Sequence, residues 1–135
     1  MTNREKQLLL IDLCARLPYG VKGIRTYRPE ETVTLGEIIP RCKMNPNIGD
    51  GTFCELGFDD TFDCCAIKEF KPYLRPMSSM TPEEYEIYNG IAGFGTYEEI
   101  MADRLEFLLE NHFDYRGLIP MGLAIEAPEG MYKVE

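Results

Sequence analysis

Three aspartates that stand close together could bind a cation or exchange protons. Asp59, Asp60 and Asp63 fall within five residues of one another, shortly after Glu55. Hard cations prefer clustered carboxylates, and such groups also perform general acid–base catalysis. The same residues follow a glycine between two strand-like runs, where aspartates commonly form turns. Since nothing in the spacing fixes them around one point, we interpret them as turn and strand-end residues.

The five cysteines and the single histidine are the other chemically capable side chains. No two cysteines have C-x-x-C spacing, and the adjacent Cys64 and Cys65 would point to opposite faces of a strand. A zinc site would need Cys42, Cys54 and one of these two cysteines, with or without His112, to converge from separate elements, and a Cys–His nucleophile would have to use His112. We therefore predict no metal, no cofactor and no catalytic residue. His112 ends an apolar helical stripe, where it would cap the helix or pack.

A basic, aromatic stretch at residues 68–76 contains three basic and two aromatic side chains in an otherwise acidic body. This combination stacks bases and holds phosphates in single-strand binders. Tyrosine and arginine are also the commonest anchors at protein interfaces. A second candidate segment, residues 114–122, contains glycines and a proline that would fix a loop shape. The candidate partner-binding residues are Phe70, Lys71, Tyr73, Arg75, Tyr115 and Arg116.

The net charge of −9, from 23 acidic and 14 basic residues, is unevenly distributed along the 135 residues. Residues 1–28 carry six basic and two acidic side chains, a net +4, so the remainder carries −13. This balance argues against a general nucleic-acid coat and against binding to an anionic membrane surface. The chain has no apolar run of about 18 residues that could span a membrane. With no export signal visible, we expect a cytoplasmic protein with reduced cysteines.

Three threonine–glutamate spacings predict where helices begin. Thr2, Thr81 and Thr96 each precede a glutamate by three residues, the pattern of a capping box. Helices should therefore start near residues 3, 82 and 97, and the first should run to about Leu17. The third carries an apolar stripe of Met101, Leu105, Leu108 and His112, with Leu109 beside it.

The centre of the chain has the composition of strands. Residues 21–27, 32–39, 51–57 and 64–70 are rich in β-branched and aromatic side chains. Four or five short strands predict a small antiparallel sheet or a partly open barrel, which Pro72 and Pro76 would end. We expect a single α+β domain over residues 1–135: an N-terminal helix, this sheet, and two to three C-terminal helices.

Several stretches resemble a family of short uncharacterised proteins from gut anaerobic bacteria and their phages or integrated elements. They are FKPYLRPMSSMT at residues 70–81, HFDYRGLIPMGLA at 112–124, and the N-terminal residues 3–10 and 17–21. The likeness covers both ends and the centre, roughly half of the chain. It implies a bacterial or phage cytosolic setting and assigns no catalytic residue.

Three classes of function remain open from the sequence. The first is a non-catalytic interaction or regulatory protein that contacts a protein partner through the Tyr73 and Arg75 region and residues 114–122. An acidic body that mimics nucleic acid and inhibits a DNA-binding enzyme is a variant of this class. The second is a small RNA or single-strand binder that uses residues 68–76, which the net charge disfavours. An enzyme is expected least, because no nucleophile, base and orienting group can be placed together.

Overall fold

The computed structural model describes residues 2–40, 54–93 and 95–132. Within these ranges the chain is α+β, with an N-terminal helix, most of the sheet, and then two further helices, as the sequence predicts. None of the described helices is both long and apolar enough to cross a bilayer. The helices are α1 (Asn3–Arg16), α2 (Pro82–Gly90) and α3 (Tyr97–Glu110). The strands are β1 (Lys22–Arg25), β2 (Arg28–Pro40), β3 (Cys54–Phe58), β4 (Cys64–Ala66), β5 (Phe70–Leu74) and β6 (Ile125–Glu126).

All three predicted helix starts are confirmed, and local capping explains them. The Thr2 hydroxyl accepts from the Glu5 amide at 3.1 Å, while the Glu5 carboxylate accepts from the Thr2 amide at 2.8 Å. Thr81 and Glu84 form the same reciprocal pair at the start of α2. At α3 the Thr96 hydroxyl accepts from the amide three residues on. These bonds satisfy donors that a helix start otherwise leaves without partners.

Within the described residues the sheet has six strands in the order β4-β3-β2-β1-β5-β6, which corrects the prediction of four to five antiparallel strands. Only the β5–β6 pair is parallel; its register places Tyr73 beside Ile125. β6 is two residues long and therefore too short to show a periodicity in the sequence. Pro72 does not end the sheet: it lies inside β5, opposite Gly23 of β1. A proline removes a single amide donor, and its neighbours Lys71 and Tyr73 keep the pairings with β1 and β6.

The sheet is strongly curled. A three-residue turn, Ile67–Glu69, connects β4 to β5, although three strands lie between them in the sheet. Four strand spacings would separate them by about 19 Å in a flat sheet, whereas the linking residues reach about 14 Å at most. β2 accommodates the curl at a bulge between Leu35 and Glu37. The described part of the sheet stays open, because no pairing joins β4 to β6.

Two hydrophobic clusters form the interior. The larger lies between α1 and the concave sheet, and its fully buried members include Leu9, Leu13 and Phe70. The smaller lies beneath α2 and α3 and is built on Phe107, Leu108 and Phe113, with partly buried side chains packed against it. Those partly buried residues are Met80, Tyr88, Ile91 and Tyr115.

The predicted apolar stripe of α3 is buried over only half of its length. Leu108 and His112 are buried, but Met101 is 47% exposed and Leu105 is 40% exposed. The first turns of α3 therefore lie away from the core, and their apolar side chains face outward.

Candidate functional site

The two predicted binding segments meet, but through contacts that hold the fold together. Phe70 is fully buried and its ring lies 5.4 Å from that of Phe58, so it has no surface to offer a partner. Lys71 and Tyr73 alternate with buried neighbours along β5 and are half-buried. The Tyr73 carbonyl accepts a 2.7 Å hydrogen bond from the Tyr132 hydroxyl, which ties residue 132 to the sheet.

Arg75 joins three parts of the chain. Its guanidinium donates to both carboxylate oxygens of Glu84, at 2.7 and 2.6 Å, and lies 4.2 Å from the centre of the Phe113 ring. Its backbone amide donates to the His112 carbonyl, and its carbonyl accepts from the Asp114 amide, both at 2.8 Å. Hydrogen bonds from Arg75 and from the Thr81 cap lower the pKa of the Glu84 carboxyl to about 2. Arg75 therefore fastens α2 and the segment after α3 to the end of β5.

Tyr115 and Arg116 surround a buried ion pair. Arg16 and Asp12 lie one helical turn apart on α1, 2.7 Å from each other, and both side chains are fully buried. Arg16 also donates to the Phe113 carbonyl at 2.6 Å. Arg116 adds a second cation 3.3 Å from the Asp12 carboxylate, and its guanidinium covers the Tyr115 ring at 4.9 Å. Both residues are half-buried, so they contribute mainly to the junction between α1 and residues 113–116.

His112 packs rather than caps. It has a positive φ of 63°, is 7% exposed, and stacks on the Tyr132 ring at 3.8 Å. Burial, together with the positive charges of Arg16, Arg75 and Lys22, lowers its pKa to about 4. The imidazole is therefore neutral at physiological pH, and a role as a charged helix cap does not apply.

Two members of the aspartate cluster make contacts that join strands of the sheet and the turn after β3. The Asp60 carboxylate accepts from the Thr34 amide at 2.6 Å, and Asp63 pairs with the buried Arg25 at 2.9 Å. Over the described residues, no three acidic, histidine or cysteine side chains converge as a metal site would require. Cys42 and the side chain of Cys54, which the zinc hypothesis needed, lie outside the described residues.

The exposed apolar side chains concentrate on α2, α3 and the turn before α2, which we call the helical face. Sequence reasoning missed this surface, because an amphipathic stripe looks the same whether it faces a core or a partner. Six large apolar residues on it are between 40% and 74% exposed: Met77, Tyr85, Ile87, Tyr97, Met101 and Leu105.

Two adjoining cavities lie at one end of the helical face. The first, of about 480 Å³, is an apolar groove between the Met77 turn and α2, lined by Met77, Met80, Thr81, Pro82, Tyr85 and Tyr88. The second, of about 620 Å³, also reaches Thr81 and contains three carboxylates, those of Glu84, Glu126 and Glu129. Arg75 already pairs with Glu84. The other two carboxylates, those of Glu126 and Glu129, form what we call the acidic rim beside the groove.

The helical face is also the most acidic part of the chain. Residues 82–110 contain eight acidic residues and one basic residue, Arg104, giving −7 of the total −9. Arg104 already contacts α2: its guanidinium lies 4.8 Å from the centre of the Tyr88 ring and donates to the Tyr88 carbonyl. Exposed apolar side chains and most of the chain's net negative charge thus lie on the same two helices.

Comparison with protein-family models, curated proteins and solved structures finds no significant match to the chain.

Proposed function

We propose that the chain is a non-catalytic protein-interaction module whose helical face binds a basic amphipathic segment of a partner protein. The main support for this function is the concentration of exposed apolar side chains on that face. Six of the ten large apolar residues exposed in the described ranges lie between residues 77 and 105. Contiguous apolar surface rimmed by polar residues is typical of protein interfaces.

Charge supports the choice of a basic partner. Residues 82–110 carry −7, or −6 when Glu84 is set aside as paired with Arg75, and such a surface attracts lysine- and arginine-rich segments and repels acidic ones. The same charge disfavours a second copy of this chain, since two such faces would repel each other. Alternating apolar and cationic side chains would satisfy both features of the surface, as in an amphipathic helix laid in a groove.

The contacts of residues 68–76 favour a protein partner over single-stranded nucleic acid. Of the side chains that could stack or bind phosphate there, Phe70 is fully buried and Arg75 is paired with Glu84. Lys68, Lys71 and the half-buried Tyr73 remain, on a chain whose net charge repels phosphates.

The proposal is tested with a fluorescently labelled amphipathic peptide of leucine and lysine, measured by anisotropy. A leucine–glutamate peptide of the same pattern and a single-stranded oligonucleotide serve as comparison probes. We expect the leucine–lysine peptide to bind and the other two to bind at least tenfold more weakly. Equal binding of the glutamate peptide, preference for the oligonucleotide, or no binding of the lysine peptide would overturn the proposal.

A matched pair of double variants locates the surface. Tyr97→Ser with Met101→Ser removes two exposed apolar side chains from α3, whereas Ile11→Ser with Phe62→Ser removes two from elsewhere. We expect the first variant to lose about tenfold in affinity, in the range of interface anchors, and the second to change less than twofold. Circular dichroism spectra of both variants check that the helices remain formed.

A further inference from the structure

We infer that the groove between the Met77 turn and α2 is the anchor pocket of the interface. It receives a large apolar side chain of the partner, while the acidic rim beside it pairs with a neighbouring lysine or arginine of the same segment. This inference rests on the proposed function and specifies the partner sequence: an apolar residue close to a basic one.

The lining of the groove suits an apolar anchor. Met77 and Met80 form one side, and Pro82, Tyr85 and Tyr88 form the other. Methionine side chains are unbranched and adapt to different apolar shapes. Tyrosines contribute large contact areas at low entropic cost. Its volume of about 480 Å³ falls within the range of small binding pockets.

The floor of the groove is continuous with the interior. Met80 and Tyr88 line the groove and also pack against the smaller core cluster of Phe107, Leu108 and Phe113. An anchor side chain seated there would extend that cluster and become desolvated, the setting in which interface residues contribute most to affinity.

The groove is held in shape before any partner binds. Glu84 starts α2 through its capping pair with Thr81 and is fixed to β5 by Arg75. Both walls of the groove therefore connect to the sheet through the same carboxylate. A preformed pocket avoids the ordering cost that weakens flexible interfaces.

The acidic rim selects the residue beside the anchor. Glu126 and Glu129 are exposed and line the cavity that adjoins the groove at Thr81. Pairing with a cation would occur close to the surface, so it should contribute to specificity and association rate more than to affinity. An acidic neighbour in the partner segment would be repelled.

Methionine methyl groups give a direct readout. In protein labelled with [methyl-¹³C]methionine, the leucine–lysine peptide should shift the Met77 and Met80 resonances and leave Met121, which is exposed elsewhere, unchanged. Met101 lies on α3 outside the groove, so a shift of its resonance reports peptide binding to the helical face, which is the proposed function. If Met101 shifts while Met77 and Met80 do not, the anchor-pocket inference fails and the proposed function survives. If none of the three shifts, both fail.

Two matched substitutions complete the test. Tyr85 lines the groove, whereas Ile87 on the same helix is similarly exposed, at 58% and 56%, and does not. We expect Tyr85→Ser to weaken peptide binding about tenfold, and Ile87→Ser, which lies on the helical face outside the groove, to weaken it by a smaller factor of about three. Equal losses would assign binding to the helix surface and overturn the anchor pocket.

The rim is tested in the same way. Glu126→Gln with Glu129→Gln should weaken binding about threefold at low salt and much less at 0.5 M salt, because exposed charges are screened. Glu30→Gln with Glu37→Gln removes the same charge from exposed positions of β2 and should have a smaller effect. An equal effect of the two double variants would show that net charge alone attracts the peptide, which would overturn the role of the rim.

Discussion

Arg75 and Glu84 form a two-pronged ion pair in which each guanidinium Nη atom donates to a different carboxylate oxygen. The Arg75 and Glu84 side chains are only 19% and 18% exposed, respectively. The same carboxylate accepts from the Thr81 amide at 3.0 Å, so one side chain begins α2 and fixes its position on β5. The sequence suggests Arg75 as a contact for a partner. In the structure Arg75 instead positions the helical face, which is the surface that we propose as the binding site.

The first prediction concerns this pair. Arg75→Lys keeps the charge but cannot make both hydrogen bonds to the Glu84 carboxylate at once. We therefore expect a loss of about 1–2 kcal/mol in the free energy of unfolding. Arg28→Lys, at an exposed pair with a 3.8 Å separation, should change it by less than about 0.5 kcal/mol. Urea unfolding of the three proteins at pH 7 gives the comparison. Equal stability of the wild type and Arg75→Lys would show that the paired hydrogen bonds to Glu84 do not contribute to the free energy of unfolding.

The same pair should produce an acid-sensitive contribution. Folding lowers the pKa of Glu84 from its ordinary value of 4.5 to about 2, so folding favours the ionised carboxylate. Its stabilisation is complete above pH 4.5 and disappears as the pH falls towards 2. We expect Glu84→Gln to destabilise the protein at pH 7 and to approach the wild type near pH 2. Unfolding curves across this range measure the difference, and a constant difference would contradict the assignment.

His112 should give stability a second dependence on pH. Folding lowers its pKa from 6.5 to about 4, which favours the neutral ring in the folded state. Its contribution is therefore complete above pH 6.5 and is lost as the pH falls towards 4, by about 3 kcal/mol in total. Since the chain has one histidine, its imidazole resonances titrate without overlap in an NMR spectrum. A midpoint at or above pH 6.5 in the folded protein would refute this.

His112→Asn is the matching variant. Asparagine tolerates the positive φ of 63° at this position, so the backbone need not rearrange. The variant has no group that titrates between pH 4 and 6.5 at residue 112. We expect its unfolding free energy to fall less steeply over this interval than that of the wild type, although it loses the stacking on Tyr132.

The features that the sequence predicts well are those fixed by neighbouring residues. The starts of α1 and α2 follow from hydroxyl and carboxylate groups three residues apart, and both are present in the structure. The turn after β3 is local in the same sense, because the Thr61 hydroxyl accepts from the Asp63 amide two residues on. Capping and turn chemistry need no knowledge of distant residues.

The remaining features depend on contacts between distant residues. The curl of the sheet follows from a three-residue connection between strands that lie far apart in the strand order. The basic, aromatic pattern of residues 68–76 is the same whether Arg75 faces solvent or Glu84. Likewise, the spacing of Met101 and Leu105 predicts an apolar face but does not say whether the protein itself covers it.

The buried pair of Asp12 and Arg16 should be sensitive to the loss of either partner. Both side chains are fully buried, so Asp12→Leu leaves the Arg16 charge without its carboxylate, and Arg16→Met leaves Asp12 with the half-buried Arg116 alone. We expect each to cost about 3–5 kcal/mol, and the double variant Asp12→Leu with Arg16→Met to cost less than their sum. Additive losses in denaturant unfolding would show that the two side chains act independently.

Adjacent cysteines should differ sharply in reactivity. Cys64 is exposed, whereas Cys65 is 5% exposed, and burial together with the nearby Glu69 raises the pKa of the Cys65 thiol to about 12. The thiolate is the reactive species, so iodoacetamide at pH 8 should alkylate Cys64 and the exposed Cys14 well before Cys65. Tandem mass spectrometry separates the neighbouring sites within one peptide. Unfolding in urea should equalise their rates, and equal rates in the folded protein would contradict the burial of Cys65 on the inner face of β4.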